Sequence, residues 1–449
     1  MPPRIRRSVM RQFTSLQVAI LALGSLCFSS AYAGSTLVPM SDAELSATRG
    51  QALMSMSYIA PNDSANLEKL RDSSSNVGFF KLSLDADVEL NTNIRKLQLG
   101  CGGANGAGAC DIDIDNLSLS GLSNTNDGRA SSSAKITNPF IEFAIKNPNS
   151  TALREVTGLR VSAEAIEGLL TFGTENSQTK NGINSFSGYM VTQATGGSVS
   201  TAARPTGSGL TQANLGTVIT GRARSDDGII WANFKSTAYD LGLSSASGSL
   251  FLPSQVISGK RINTANLTGT ANVSGINLSG TISADAKLDI TGITIPLSGN
   301  VSGVINNLGV NVAVSEDLGY FHKVNLNGTA ASLSLQAQNL QWPGAKSVSQ
   351  GGWWLELSNP IDIGDVTPQS QVAITDDVVK AALDKVSAYL GKDENAVRCG
   401  FLTISCLAGS INTGTVDLTG QYVPMNLSNL VLKNQTFASN CHGADVKFC

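Results

Sequence analysis

Histidine is almost missing from this 449-residue chain, which has only His322 and His442. A Ser-His-Asp site would have to be built on one of the two. His442 adjoins Cys441 near the chain end, a poor place for a rigid catalytic group. His322 follows Gly319-Tyr320-Phe321 and reads as a structural histidine at a strand end. The chain also lacks an H-E-x-x-H pair, a G-x-S-x-G elbow, a P-loop and a dinucleotide fingerprint. These absences point to a protein that is not an enzyme, with no catalytic residue and no cofactor.

Charge is scarce as well. Charged residues make up 14% of the chain and the formal net charge is −3, with no clustered basic face of the kind nucleic acid requires. Aromatics are 6% and scattered, too few for the two aromatic girdles of an outer-membrane barrel. Long apolar runs are missing too. Leu16 to Phe28 falls short of the roughly 20 residues that span a bilayer, and nothing after Gly34 reaches that length.

What the chain does contain points to export. Arg4, Arg6, Arg7 and Arg11 precede the short apolar stretch, and Ala31-Tyr32-Ala33 has the form of a cleavage site. A signal peptide over residues 1–33 is expected. Leu26 stands before Cys27 where lipidation wants a small residue, so lipid anchoring is not expected. Removing Cys27 leaves Cys101/Cys110, Cys399/Cys406 and Cys441/Cys449, three close pairs. In an exported chain these are expected to be local disulfides, and their spacing does not suit zinc.

Gly is abundant at 45 residues, and Ser, Thr and Asn are plentiful. Residues 34–75 read as a partly helical segment. Ser41 to Glu44 form a capping box, and Ser64 is placed to cap a short helix through Leu67 and Leu70. A long β-rich region is expected over 76–374. From Phe80, the residues Leu82, Leu84, Ala86, Val88 and Leu90 alternate with Lys81, Ser83, Asp85, Asp87 and Glu89, the pattern of one long half-buried strand. Ile112, Ile114, Leu117 and Leu119 continue it, as do Val324 to Leu340. A tripeptide of apolar residue, Ser or Thr, then Gly recurs, for example Leu119-Ser120-Gly121, Ile219-Thr220-Gly221, Leu267-Thr268-Gly269, Leu278-Ser279-Gly280 and Leu418-Thr419-Gly420, without a fixed period. The Gly/Ser/Thr-rich stretch 173–208 reads as a flexible insertion. One helix is expected from an N-cap at Thr375, with Val378, Val379, Ala382, Leu383, Val386 and Leu390 as its apolar stripe and Gly391 ending it. Residues 375–449 read as that helix followed by a disulfide-stapled β segment. The expected fold is predominantly all-β, an elongated antiparallel sheet or an irregular β-solenoid.

Two constellations could bind something. Trp342, Trp353 and Trp354 cluster around Pro343-Gly344 and could face a ligand, although such aromatics more often fill a core. Asp111, Asp113 and Asp115, like Asp85 and Asp87, alternate on a strand face. They could hold calcium, or they could be an acidic solvent face that guards a strand edge.

With these residues in view, the chain resembles exported proteins of Gram-negative bacteria that carry labels such as fil-type pilus-associated protein or haem-utilisation protein. The likeness lies in Leu45-Ser46 with Gly50-Gln51, Leu97-Gln98-Leu99-Gly100-Cys101, Asn138-Pro139-Phe140-Ile141-Glu142-Phe143-Ala144, Asp317-Leu318-Gly319-Tyr320-Phe321-His322, Gly352-Trp353-Trp354 and Asn359-Pro360-Ile361-Asp362-Ile363-Gly364. It implies a surface-appendage role with pilus or appendage components as partners. The expectation is a non-enzymatic protein of the cell surface or outer membrane, used in attachment or appendage assembly. The alternative is a periplasmic or surface carrier of an apolar ligand, lipid or haem.

Overall fold

The computed structural model describes residues 54–103, 105–174, 179–399, 410–428 and a few positions from 430 to 438. The 1–33 segment, Ser41–Glu44, Cys406, Cys441, His442 and Cys449 lie outside them. Strands account for 57% of the described residues and helices for 10%, so the all-β reading holds. Three sheets of twelve, seven and five strands carry the fold.

Part of the twelve-stranded sheet closes on itself. Glu155–Thr171 pairs with Lys323–Thr329, which pairs with Gly352–Asp362. That strand runs parallel to Ile183–Thr192, which pairs with Ile112–Ser120, and the last returns to Glu155–Thr171. Ile112, Ile114, Phe172, Ile183, Phe186, Phe321 and Val324 are buried in the core beside this ring. The stretch 173–208 is therefore not a flexible insertion over its described part. Ile183–Thr192 pairs on both edges, and Phe186 and Met190 are fully buried. The small residues Ser185, Ser187 and Gly188 disguise a core strand as linker composition. A Cβ on Gly188 would lie 2.0 Å from the Leu355 carbonyl oxygen, so only glycine fits there.

Beyond the ring the sheet continues outward from Glu155–Thr171 through Ala134–Lys146 and Val77–Leu84 to the edge strand Met54–Ile59. The expected single strand from Phe80 to Leu90 is broken at Asp85–Ala86 into Val77–Leu84 and Asp87–Leu90. Its buried face is also the opposite one, because Val77, Phe79 and Ser83 are buried while Leu82 and Leu90 are exposed. The short helix is Leu67–Arg71, capped by Asn66 rather than Ser64. The Asn66 amide also donates to the carbonyls of Ala60 and Val77, which a serine could not reach in the same way.

The other two sheets are joined by strands that cross from one to the other. Trp231–Leu243 passes to Ser247–Leu252, Thr264–Val273 to Ile276–Leu288, Thr294–Asn306 to Leu308–Asp317, and Ser410–Asp417 to Tyr422–Ser428. Their alternation is strict: Ala265, Leu267, Ala271, Val273, Val310, Val312 and Val314 face inward, and Thr, Ser and Asn face out. The crossings lie side by side and share hydrogen bonds. Ser244 Oγ accepts from Asn277 N–H, Ser274 Oγ from Asn307 N–H, and Asn307 Nδ2 donates to Asp417 Oδ1. Gly420 turns its crossing at φ +86°, a conformation that suits glycine. The residues 410–428 pair in parallel with Thr294–Asn306 and Leu308–Asp317. They complete two sheets, and so they do not stand apart as a C-terminal segment.

The Asp376–Leu390 helix forms as expected, with Val378, Val379, Ala382, Leu383, Val386 and Leu390 buried. Thr375 is its N-cap by position, but its side chain makes no capping bond, and Gly391 keeps a right-handed backbone at the other end. The helix lies against Thr220–Ser225 and Ser410–Asp417. Close packing explains the recurring tripeptide at several of its glycines, whereas Gly420 has nothing near it and is set by its positive φ. At Gly221 an added Cβ would meet Phe234 and Leu390, at Gly269 the Phe251 carbonyl, and at Gly280 the Asp240 carbonyl at 2.2 Å.

Candidate functional site

The outer part of the twelve-stranded sheet has an unusual polarity: charge is buried on one face and apolar side chains are open on the other. Pairing register defines both faces. One transverse row runs Met56, Leu82, Ile141, Val161, Leu333, Leu355 across six strands. The next runs Tyr58, Phe80, Phe143, Leu159, Leu335, Trp353. Neither row contains a charged or polar side chain other than the Tyr58 hydroxyl and the Trp353 indole N–H. Met56 is 79% exposed, Val161 50%, Tyr58 41% and Phe143 38%. The Tyr58 and Phe80 rings stack at 4.2 Å. Phe80, Ile141, Leu159 and Leu335 are half-buried between them, and Leu333, Leu355 and Trp353 pack against the main core.

The reverse face holds Glu142, Arg160, Ser162, Ser334, Gln336, Trp354 and Glu356, all buried. Residues 337–351 cover it. Glu356 accepts from the N–H groups of Lys346 and Ser347. Arg160 donates to the Pro343 carbonyl at 2.8 Å and to Glu142, and its guanidinium lies 5.3 Å from the Trp342 ring. Burial pushes the Glu142 carboxyl up, and the facing Arg160 draws it back only in part.

The three tryptophans divide between these faces. Trp342 and Trp354 are buried on the covered side, where Trp342 Nε1 donates to Gln336 and Trp354 Nε1 to Ser347. Trp353 alternates to the opposite face, where it is half-buried against the main core. They do not form one ligand wall, because two of them pin the covering loop.

Met54–Ile59 is the last strand of the sheet, and among the described residues its outer edge pairs with nothing. An unpaired edge beside an apolar face is a template for strand addition by another chain.

The remaining sequence candidates are occupied. Asp111 is buried and accepts from Arg261 Nε at 2.9 Å, from Asn105 and from Trp353 N–H. Asp113 and Asp115 both pair with Lys96 and both accept from Asn184. These lysine and arginine partners supply the positive charge that a calcium ion would bring, and no metal-sized group of ligands occurs among the described residues. Asp87 pairs with Lys135 and Thr137. Asp85 accepts from Ser55. His322 is buried, with Nδ1 2.7 Å from the Phe172 carbonyl oxygen, and burial holds its pKa below the ordinary value. That nitrogen serves the fold and is not presented to an axial ligand site. Trp231 lies under Arg222 and Arg224. The Cys101–Cys110 disulfide is present. Cys399 is also disulfide-bonded.

Sequence reasoning missed Met56, Tyr58, Leu82, Phe143 and Val161 as a surface. Their alternation was visible, but its natural assignment is to a core. The one available signal was Glu142 and Arg160 in the same strands, on what turns out to be the covered face.

No family model, curated protein or solved structure matches this chain. Among the described residues no helix is long and apolar enough to cross a membrane.

Proposed function

We propose that this protein is a non-enzymatic, exported protein of the cell surface that serves in attachment or appendage assembly. It does so by taking another protein chain onto the open apolar face beside the Met54–Ile59 edge. The observation that carries this reading is the inverted polarity of the outer sheet. Across four outer strands Met56, Tyr58, Leu82, Phe143 and Val161 are open to solvent while Glu142, Arg160 and Glu356 are buried behind the sheet. A sheet that faced water for its own sake would place those charges outside. An exposed apolar patch of this extent marks an interaction surface. The resemblance to pilus-associated exported proteins agrees with it, and so does the Ser/Thr/Asn-rich surface. The two exposed methionines, Met54 and Met56, adapt to a partner's shape.

The test is envelope fractionation and protease shaving of intact producing cells, comparing the natural chain with the Met56→Lys/Val161→Lys double variant. The natural chain should be shaved from the surface and recovered in complexes with filament or envelope proteins, and the variant should lose those complexes. Recovery of both chains as free periplasmic monomers would overturn the proposal. Native mass spectrometry that found lipid on the natural chain and none on the variant would favour the carrier reading of the same face.

A further inference from the structure

The five-stranded sheet carries a second surface of different chemistry. Its order places Thr195–Ser200, Ser247–Leu252, Thr264–Val273, Leu308–Asp317 and Tyr422–Ser428 side by side. Outward positions in one row read Phe251, Thr270, Asn311, Pro424, and in the next Ser249, Asn272, Gly309, Tyr422. Two shallow hollows of about 370 and 560 Å³ lie along these rows and share Phe251 and Thr270. No charged residue lines either hollow.

Phe251 is 54% exposed and Tyr422 57%. They stand at opposite ends of the surface. Three strand spacings and two residues separate them, a span of about 16 Å. Tyr422 lies against Gly309, where any Cβ would come within 2.4 Å of its ring. The glycine thus lets the ring settle on the sheet. Between the aromatics Thr270 and Asn311, and one row beyond them Asn426, make no side-chain hydrogen bond among the described residues. Their hydroxyl and amide groups are exposed and able both to donate and to accept.

We propose that this surface binds a neutral oligosaccharide. Aromatic faces suit the C–H faces of sugar rings, and free amides and hydroxyls match sugar hydroxyls in donor and acceptor capacity. The lack of charge selects against sulfated or uronic chains. The separation of Phe251 from Tyr422 calls for several linked sugars, since one ring would reach only one aromatic. The site lies on a different sheet from the apolar face, and its existence does not depend on that face binding a protein.

The experiment is titration calorimetry of the full chain against maltohexaose, cellohexaose and chitohexaose, with a heparin hexasaccharide as the acidic comparison. At least one neutral hexasaccharide should bind. Phe251→Ala and Tyr422→Ala should each weaken it about tenfold, and Tyr422→Phe should retain it. Thr270→Arg, which fills the space between the aromatics, should abolish binding. All three positions are exposed, and circular dichroism would confirm that each of the four variants keeps its strands. Absence of binding to every neutral probe, binding unchanged in both alanine variants, or preference for the heparin fragment would each overturn the proposal.

Discussion

Arg160 and Glu142 stand directly opposite each other on neighbouring strands and form an ion pair that is almost wholly buried, with side chains 6% and 2% exposed. On the other face of the same two strands, Val161 and Ile141 stand opposite each other and point outward. That pairing of buried charge with open apolar surface is the central physical fact of the molecule. The ion pair is held by the loop that covers it, through the Pro343 carbonyl and the Trp342 ring.

Removing one partner should be costly. Arg160→Met leaves Glu142 buried without its cation, and a loss of about 3–5 kcal/mol is expected in denaturant unfolding. The double variant Arg160→Met/Glu142→Leu should recover much of that loss, since no charge is then buried. A double variant no more stable than Arg160→Met would show that the pair is needed for more than mutual neutralisation.

The open face predicts the opposite behaviour. Met56→Lys and Val161→Lys should change stability by no more than about 0.5 kcal/mol, because both side chains are solvent-exposed. Analytical ultracentrifugation should show less self-association than for the natural chain. Loss of several kcal/mol would mean that the face is covered in solution.

His322 ties stability to pH. Burial lowers its pKa in the folded state, so between the ordinary value near 6.5 and the depressed one the unfolded chain takes up a proton that the folded chain refuses. Stability should therefore fall as pH drops below about 6.5. It should be insensitive to this group above that pH. Chemical denaturation at pH 7.5 and 5.5 should show a gap that shrinks in His322→Gln.

Asp417 acts at lower pH. The hydroxyl and N–H of Thr419, with the Asn307 amide, hold its carboxyl down to about 2. Its contribution is present above the ordinary carboxylate range and is lost as pH falls through about 2. A carboxyl carbon titration by NMR should place Asp417 at the acid end of the aspartates, and Thr419→Val should move it upward.

The Cys101–Cys110 disulfide closes a nine-residue separation, for which chain entropy gives about 2.5 kcal/mol. The Cys101→Ser/Cys110→Ser variant should lose about that much. Arg261 also ties this loop down, by donating to the carbonyls of Gly100 and Gly106. Arg261→Ala in the reduced protein should therefore add to the loss.

The sequence by itself determined the β class and the one long helix. Period-2 alternation from Thr264 to Asp317 can satisfy only a sheet with one buried face, and the stripe from Val378 to Leu390 can satisfy only a helix. It also marked the close pairing of Cys101 with Cys110. Which face of a strand turns inward was a tertiary decision. Alternation is symmetric under a one-residue shift of facing, so Phe80 and Leu82 read as core until the loop 337–351 covers Phe79 and Glu142 instead. Local composition likewise hid Ile183–Thr192, where the Leu355 backbone and the Phe186 ring leave room at position 188 only for glycine. The two proposed surfaces depend on residues brought together from strands up to several hundred positions apart, such as Met56 with Leu355. Only the pairing of those strands placed them on one face.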